Sequence, residues 1–380
     1  MGKIELDHTG SGSGITLSSD GTDLLLDGTA IGGGGGAALE LYDENASTPT
    51  ANTVTGSNSA AIGENLTVSG DNSLAAGTGG TATGYSSFAF GDGADATANH
   101  SVAIGGGAIQ ASGAQSIAIG YGSDATNSDA HAFGRNANAS GSSATALGRD
   151  AVAASTRAVS IGDSYASGTD SFAAAIANNS SSYGATGANS IAMGINSKAT
   201  ATGVAIGNAA QATTNYAYSI GFGSIASGNY SFAAGRDTTA SARGTVALGE
   251  ASLANLQGKM SFAASRFAAQ GDAQSGTFVL RSDTTDATAE ALTTSNSTAG
   301  TTNQITLPNN SAYAFHGTIV ARQQASGGTA CAAWKVEGLI RREGSAGTTV
   351  LVNSATTVLD NTPSWGMALS ADTTNGGLAI

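Results

Sequence analysis

The sequence that decides the fold is a four-residue phrase closed by glycine, as in Val102-Ala103-Ile104-Gly105 and Ile117-Ala118-Ile119-Gly120. The phrase recurs from Ala60 to Gly249, and its closing glycines keep a nearly constant spacing except around one irregular coil. A fixed short period of this kind is typical of stacked coils. We expect tight turns at the closing glycines, which are Gly63, Gly77, Gly91, Gly105, Gly120, Gly134, Gly148, Gly162, Gly194, Gly207, Gly221, Gly235 and Gly249.

The repeat of about 14 residues is too short for a helical hairpin, which needs roughly 33 residues. It has room for two short strands and two turns. The phrase supplies the first strand, with β-branched or aromatic residues at its outer positions. Alternating small residues, as in Ala94-Asp95-Ala96-Thr97-Ala98, predict a second strand with one polar face. Glycine and asparagine between the strands supply the positive φ angles that such turns require. The sequence therefore predicts an all-β chain with a parallel β-roll, or solenoid, of about 15 coils.

The phrase strand is apolar on both faces, because Val102 and Ile104 point one way and Ala103 points the other. A strand of this kind is normally covered on both sides. The interior of the coil covers one side, and we expect identical rods to cover the other, most simply in a homotrimer. A monomeric solenoid with a weakly apolar face is the alternative.

The phrase, its period and its copy number together resemble the head repeat of trimeric autotransporter adhesins. The resemblance covers Ser57 to about Ser265. It implies a left-handed parallel β-roll, three of which assemble about a common axis. It carries over an architecture and no activity.

Two features differ from the adhesin pattern. The start, Met1-Gly2-Lys3-Ile4-Glu5, has no apolar signal segment, and no apolar heptads of a coiled-coil stalk follow the repeats. We therefore expect a virion fibre that is assembled in the host cytoplasm, rather than an exported adhesin.

The repeat divides the chain into three predicted parts. Residues 1–50 carry short strand signals and a glycine linker, which predict a β-rich attachment or capping segment. Residues 51–265 form the β-roll. Residues 266–380 carry longer strand signals between polar turns, which predict an antiparallel, jelly-roll-like β-sandwich. The stretches 313–322 and 333–338 resemble the C-terminal β domain of phage tail-fibre proteins.

The composition restricts the partners. The net charge of −13 disfavours nucleic acid and anionic membranes, which both attract basic surfaces. The chain has no apolar run long enough to cross a bilayer, so we expect no membrane insertion. The single cysteine, Cys331, excludes an intrachain disulfide framework.

Residues that carry chemistry are few and scattered. The four histidines are isolated, and His131 occupies a phrase position that other coils fill with Val, Ile or Phe. Neither a zinc-type spacing nor a phosphate loop is present, and Asp283 and Asp286 lie in a Thr-rich stretch. We therefore predict no catalytic residues, no metal site and no cofactor, and a protein that is not an enzyme.

One irregular coil suggests a place for host binding. The interval from Ala175 to the next closing glycine, Gly194, is longer than the usual period, and the extra residues fall in the polar stretch 178–184. Insertions in solenoids collect on a binding face in some proteins. The candidates are Asn178, Ser182 and Tyr183, and the alternative is a tolerated surface loop.

Together these features favour a homotrimeric bacteriophage tail fibre or another virion fibre. Its N-terminal segment would attach to other virion proteins, and its C-terminal tip would bind a host surface glycan or protein receptor. A bacterial trimeric surface adhesin and a purely architectural fibre on the virion head or tail are the alternatives. An ice-binding solenoid would need a regular threonine ladder. The outward positions Thr97, Gln110 or Ser112, Thr126, Asn138 and Val152 do not form one.

Overall fold

The computed structural model describes residues 50–174, 182–286, 288–324 and 327–380, and the backbone of five short strands between residues 4 and 41. The chain divides into two compact units, Met1–Ala201 and Thr202–Ile380. Almost all regular structure is β, and within the described residues the single helical segment is a 3-10 turn at Ala346–Thr348. The all-β prediction is confirmed.

The first unit begins with four antiparallel strands and then enters the coils. The antiparallel strands are Ile4–Leu6, Ile15–Ser19, Leu24–Leu26 and Thr29–Ile31. A further strand, Leu39–Leu41, pairs in parallel with residues 60–62, so it leads into the first coil. The predicted glycine linker lies outside the described residues.

Each coil of the first unit contributes one strand to each of two parallel sheets. The phrase strands are Ala60–Glu64, Leu74–Thr78, Phe88–Asp92, Val102–Ile104, Ile117–Ile119, His131–Phe133, Thr145–Leu147, Val159–Ile161, Phe172–Ala174 and Ile191–Met193. The second strands, which we term companion strands, are Thr53–Val54, Thr67–Val68, Thr81–Ala82, Asp95–Ala96, Gln110–Ala111, Asp124–Ala125, Asn138–Ala139, Val152–Ala153, Tyr165–Ala166, Gly184–Ala185 and Lys198–Ala199.

The second unit begins with the same arrangement. Its phrase strands are Val204–Ile206, Tyr218–Ile220, Phe232–Arg236, Val246–Glu250 and Met260–Ala263. Its companion strands are Gln211–Ala212, Ile225–Ala226, Thr239–Ala240 and Leu253–Ala254. With eleven companion strands in the first unit and four in the second, the prediction of about 15 coils is confirmed.

The period of the sequence sets the register of both sheets. Val102 pairs with Ile117, and Ala103 pairs with Ala118, so equivalent phrase positions lie beside each other in successive coils. The irregular coil keeps this register, since Ala166 pairs with Ala185 across the insertion. Parallel ladders of this kind pair main-chain polar groups of one coil with those of the next.

Small residues fill the interior of the coils. The middle residue of each phrase, for example Ala103 or Ala205, is completely buried. Buried serines link successive coils, since the Ser73 Oγ donates to the Gly84 carbonyl at 2.7 Å and accepts from the Ser87 N–H at 3.0 Å. The interior is therefore a thin layer in which each residue meets its equivalent in the next coil.

After the coils, the second unit forms antiparallel strands. Ser275–Thr277 pairs with the last phrase strand. One three-stranded sheet contains Ile305–Thr306, Gly377–Ala379 and Ser370–Asp372, and the other contains Ser311–Arg322, Cys331–Arg342 and Val350–Asn361. Leu307, Ile340 and Leu378 form a buried core cluster. Antiparallel strands occur here as predicted, whereas the jelly-roll-like sandwich and the boundaries at residues 50 and 265 stay predictions.

No helix in the described parts of the chain has both the length and the apolar character to cross a membrane.

Candidate interaction surfaces

The outward face of the phrase strands forms a long apolar surface in each unit. In the first unit, Phe90 is 53% exposed and Leu147 is 46% exposed at the third phrase position, while residues at the first position are half-buried. In the second unit, Ile220 and Phe262 are exposed in the same way. The predicted alternation is confirmed, since the middle residues point inward. Apolar patches of this extent mark interaction surfaces.

The turn after each phrase strand, which we term the phrase turn, contains the closing glycine. All thirteen closing glycines have positive φ angles, between 74° and 148°. At Gly105 the φ angle is 148°, and a Cβ atom would lie 2.5 Å from the carbonyl oxygen of Gly120 in the next coil. Two constraints therefore require glycine at this position, namely the backbone angle and the close approach of the next coil.

A second glycine column was not predicted from the sequence. We term the turn after each companion strand the companion turn. The column occupies eight of these turns, and a Cβ atom on any member would overlap the main chain of the next coil. These glycines do not have positive φ angles, so close packing alone requires them. The members are Gly56, Gly70, Gly84, Gly113, Gly141, Gly168, Gly187 and Gly228. Their own regular spacing, which follows that of the closing glycines, was the available signal.

The three host-binding candidates are only partly placed. Asn178 lies outside the described residues. Ser182 is an exposed turn residue, and Tyr183 is half-buried beside the companion strand Gly184–Ala185. The host-binding role of these residues stays a prediction.

Titratable side chains do not converge in the described residues. No three His, Cys, Asp or Glu side chains of this part of the chain are placed to hold a metal ion. His131 is half-buried on the phrase strand between Ile117 and Thr145, and its ring centroid lies 6.3 Å from that of Phe133. This is a packing position within the apolar surface.

Arginines on the coils form ion pairs across or within turns. Arg135 and Arg149 lie 3.9 and 3.3 Å from Asp150, and Arg236 lies 3.4 Å from Glu250. Arg157 hydrogen-bonds Asp170 through two nitrogens, and these bonds lower the pKa of the carboxyl. All these side chains are substantially exposed, so each pair contributes little to stability.

The end of the coils in the second unit is closed by the segment 264–277. Gln274 Oε1 accepts from the Leu253 N–H at 2.8 Å, and its Nε2 donates to the Leu253 carbonyl at 3.0 Å. The Asp272 carboxylate accepts from three consecutive main-chain N–H groups, beginning at Phe267, which lowers its pKa. Beneath this segment Lys259 is only 5% exposed, and burial lowers its pKa to about 8.

A shallow groove lies on the longer C-terminal sheet. Its volume is about 550 Å³, and its lining includes Ala314, His316, Glu337, Leu339 and Asn353. His316 and Glu337 are register partners on adjacent strands.

Comparison with known protein families identifies the repeat. The fold defines a β-solenoid whose coils carry an apolar outward face. The family model described as YadA head domain repeat (2 copies) matches residues 82–108, 111–137, 125–151, 139–164, 185–204, 215–238 and 226–252. The resemblance to the trimeric autotransporter adhesin-type head repeat is therefore confirmed for these stretches, which all lie within the predicted roll. No match to a curated protein was found.

Proposed function

We propose that this protein is the homotrimeric shaft and tip of an exterior virion fibre, most specifically a bacteriophage tail fibre that attaches the particle to its host cell. The observation that carries the proposal is the apolar outward face of the phrase strands. Exposed side chains such as Phe90 and Leu147 recur along the coils, each next to a buried alanine that points inward. No part of the chain that the structure describes covers them.

We expect identical copies of the chain to pack against this apolar face. YadA-like repeats typically form homotrimers, and the repeats here match that family model. A cyclic arrangement brings the same face of each copy toward one axis. Large side chains at the first and third phrase positions then pack against their equivalents in the neighbouring copies.

The regions around the roll would supply attachment at either end. The N-terminal segment would bind other virion proteins, and the C-terminal β region would bind a host surface glycan or protein receptor. Several weak sites on one particle would raise the avidity far above the affinity of one site. The fibre would be assembled in the host cytoplasm and would act on the virion.

A bacterial trimeric surface adhesin is the second candidate, and the YadA head repeats favour it. The adhesin would form the same trimer as the virion fibre but would lie on the bacterial surface instead of the virion. A purely architectural fibre on the virion head or tail would share the location but would lack the receptor.

The oligomeric state tests the foundation of the proposal. We expect light scattering coupled to size exclusion to give three times the mass of the chain. Leu147→Asp places a charge on the apolar face and should shift the protein toward monomers, because a buried unpaired carboxylate is strongly disfavoured. Val152→Asp, on a companion strand and flanked there by the uncharged Asn138 and Tyr165, is the matched control and should leave the trimer intact. A wild-type monomer would remove the fibre model.

Location distinguishes the candidates. Antibodies raised against the roll should label an appendage of purified virions in electron micrographs, and particles lacking the protein should adsorb poorly to host cells. Label on the bacterial envelope alone would favour the adhesin. Labelled particles whose adsorption does not depend on the protein would favour the architectural fibre.

A further inference from the structure

Three successive companion turns in the second unit carry a row of planar side chains. The rings of Tyr216 and Tyr230 stack with centroids 5.3 Å apart and an interplanar angle of 7°. The guanidinium carbon of Arg243 lies 5.6 Å from the centroid of the Tyr230 ring. The two tyrosines are 50% and 57% exposed. We term these three residues the Tyr216–Arg243 row.

The backbone of the row is unusual for tyrosine. Tyr216 and Tyr230 have φ angles of 55° and 59°, in the left-handed region that bulky residues rarely adopt. At the equivalent position of other companion turns the chain places Asn58, Asn72 and Asn189, which tolerate this region well, and also Ser86, His100, Gln115, Asp129, Ser143, Arg157 and Asp170. The turn therefore accepts many residue types and does not require tyrosine, and asparagine would suit its backbone better.

The charge of the row is also unusual. The other four arginines of the described coils, which include Arg157 and Arg236, each pair with a carboxylate. Arg243 has no ion pair among the described residues, and the turns at residues 213–216, 227–230 and 241–244 contain no Asp or Glu. Among the arginines of the coils, Arg243 is therefore the one whose charge no neighbouring carboxylate neutralises in the described residues. A guanidinium that lies over a ring, and not against a carboxylate, keeps its N–H donors available to an anion.

We propose that the Tyr216–Arg243 row binds a carboxylate-bearing sugar on the side of the roll. The guanidinium of Arg243 receives the carboxylate as a planar, charge-assisted pair. The rings and phenol groups of Tyr216 and Tyr230 provide a rigid amphipathic contact for the sugar ring and its hydroxyls. Asn215 and Asn229 precede the tyrosines and supply amide groups beside them.

A sugar fits this surface better than an acidic peptide does. The row lies in turns, and the strand beside it, Ile225–Ala226, is paired on both sides, so it offers no free strand edge to which a peptide could add. The site goes beyond the proposed function, which places receptor binding at the C-terminal tip. It depends on the proposed trimer only for the presence of three copies on each fibre.

Titration calorimetry with the full chain tests the assignment. The probe is a tetramer of galacturonic acid, and its neutral methyl ester is the comparison ligand. We expect binding of the acid and little binding of the ester. Arg243→Gln should weaken binding by at least about tenfold, because a charge-assisted pair is lost. Arg157→Gln, which removes an arginine already paired with Asp170, should leave the affinity unchanged.

The double variant Tyr216→Asn and Tyr230→Asn separates binding from folding. Asparagine suits the left-handed turn, so the melting temperature should be unchanged or higher while the affinity falls. Loss of stability without loss of binding would overturn the proposal, as would unchanged binding by Arg243→Gln. Stronger binding of polyglutamate than of the acidic sugar would also overturn it. The oligomeric mass, measured on the same samples, reports separately on the proposed trimer.

Discussion

The coils and the C-terminal sheets bury their side chains in different ways. Inside a coil, residues such as Ala103 and Ala205 are completely buried, yet each contributes only a methyl group. The C-terminal cluster buries Leu307, Ile340 and Leu378 instead. Large apolar side chains supply most of the burial energy in an ordinary core. The coils therefore depend on main-chain ladders and close approach, whereas the C-terminal sheets depend on filled volume.

The two regions should respond to opposite kinds of substitution. Added volume damages a coil, because the next coil already occupies the space. Removed volume damages the C-terminal cluster, because it leaves a cavity. Both tryptophans of the chain, Trp334 and Trp365, lie in the C-terminal region, so their fluorescence reports on that region alone. Far-UV circular dichroism reports mainly on the more numerous strands of the coils.

The largest expected effect is that of Gly105→Val. The φ angle of 148° is unfavourable for valine, and the new Cβ would lie 2.5 Å from the Gly120 carbonyl oxygen. Strain and overpacking each cost roughly 1–3 kcal/mol, so the free energy of unfolding should fall by about 3 kcal/mol or more. The circular dichroism transition should move to lower denaturant, while the tryptophan transition stays near its wild-type position.

Gly258→Asn is the matched control for that variant. Gly258 also has a positive φ angle, 70°, but a Cβ atom there would contact nothing within 4 Å. Asparagine tolerates this angle, so the variant should melt like the wild type. Equal damage by both variants would mean that loss of glycine itself, rather than contact between coils, destabilises these turns.

The second effect concerns the C-terminal cluster. Ile340→Ala removes volume from a buried site and should reduce the free energy of unfolding by about 2–5 kcal/mol. Tryptophan fluorescence should detect the change, and the circular dichroism transition of the coils should not. Val358→Ala is the control, since Val358 is 57% exposed. If both spectroscopic transitions moved together, the two regions would unfold as one cooperative unit.

The coils could be predicted from the sequence because each residue packs against the equivalent residue of the next coil, and this equivalence is visible as a repeat. The positions of Val102 and Ala103 in the phrase determined which side chain points outward, and the closing glycines determined the turns. The column that contains Gly141 was missed because alanine, asparagine and serine replace glycine in other coils. Tyr216 was missed because its position varies widely from coil to coil, with residues as different as Asn58, His100 and Arg157. Each of these positions depends on contacts with the next coil that the period does not specify.

The C-terminal region was predictable only as strands. Ser311–Arg322 pairs with Cys331–Arg342 in antiparallel register, so the sequence separation of the partners changes at every residue. Register shifts near Ala333 and Leu339 alter the pairing with the third strand again. No repeated spacing encodes such a register, and hydrophobic patterning alone leaves several pairings open.

The third effect concerns Lys259 at the end of the coils. Burial lowers its pKa from 10.5 to about 8, so between these values the unfolded chain binds more protons than the folded chain. Stability should therefore rise with pH from about 8 to about 10.5. Lys259→Met removes this dependence and should stabilise the protein by about 3 kcal/mol at pH 7, where burial of the charge is most unfavourable. Unfolding measured at several pH values, as the difference between variant and wild type, checks this. A difference that does not change with pH would mean that Lys259 is solvated.

The smallest effect tests how the coils end. A parallel ladder exposes unpaired main-chain groups at its last rung, and such edges associate with one another. Gln274 covers one of them, because its amide accepts from the Leu253 N–H and donates to the Leu253 carbonyl. Gln274→Ala should lower the free energy of unfolding by about 1–3 kcal/mol. It should also promote end-to-end association, visible by light scattering as a mass that grows with concentration.

Gln274→Glu keeps the acceptor and loses the donor, so its stability should fall between those of the wild type and Gln274→Ala. If Gln274→Ala stayed monodisperse and equally stable, the antiparallel strand Ser275–Thr277 would be sufficient to close the coils, and the ladder of the companion strands would need no cap of its own.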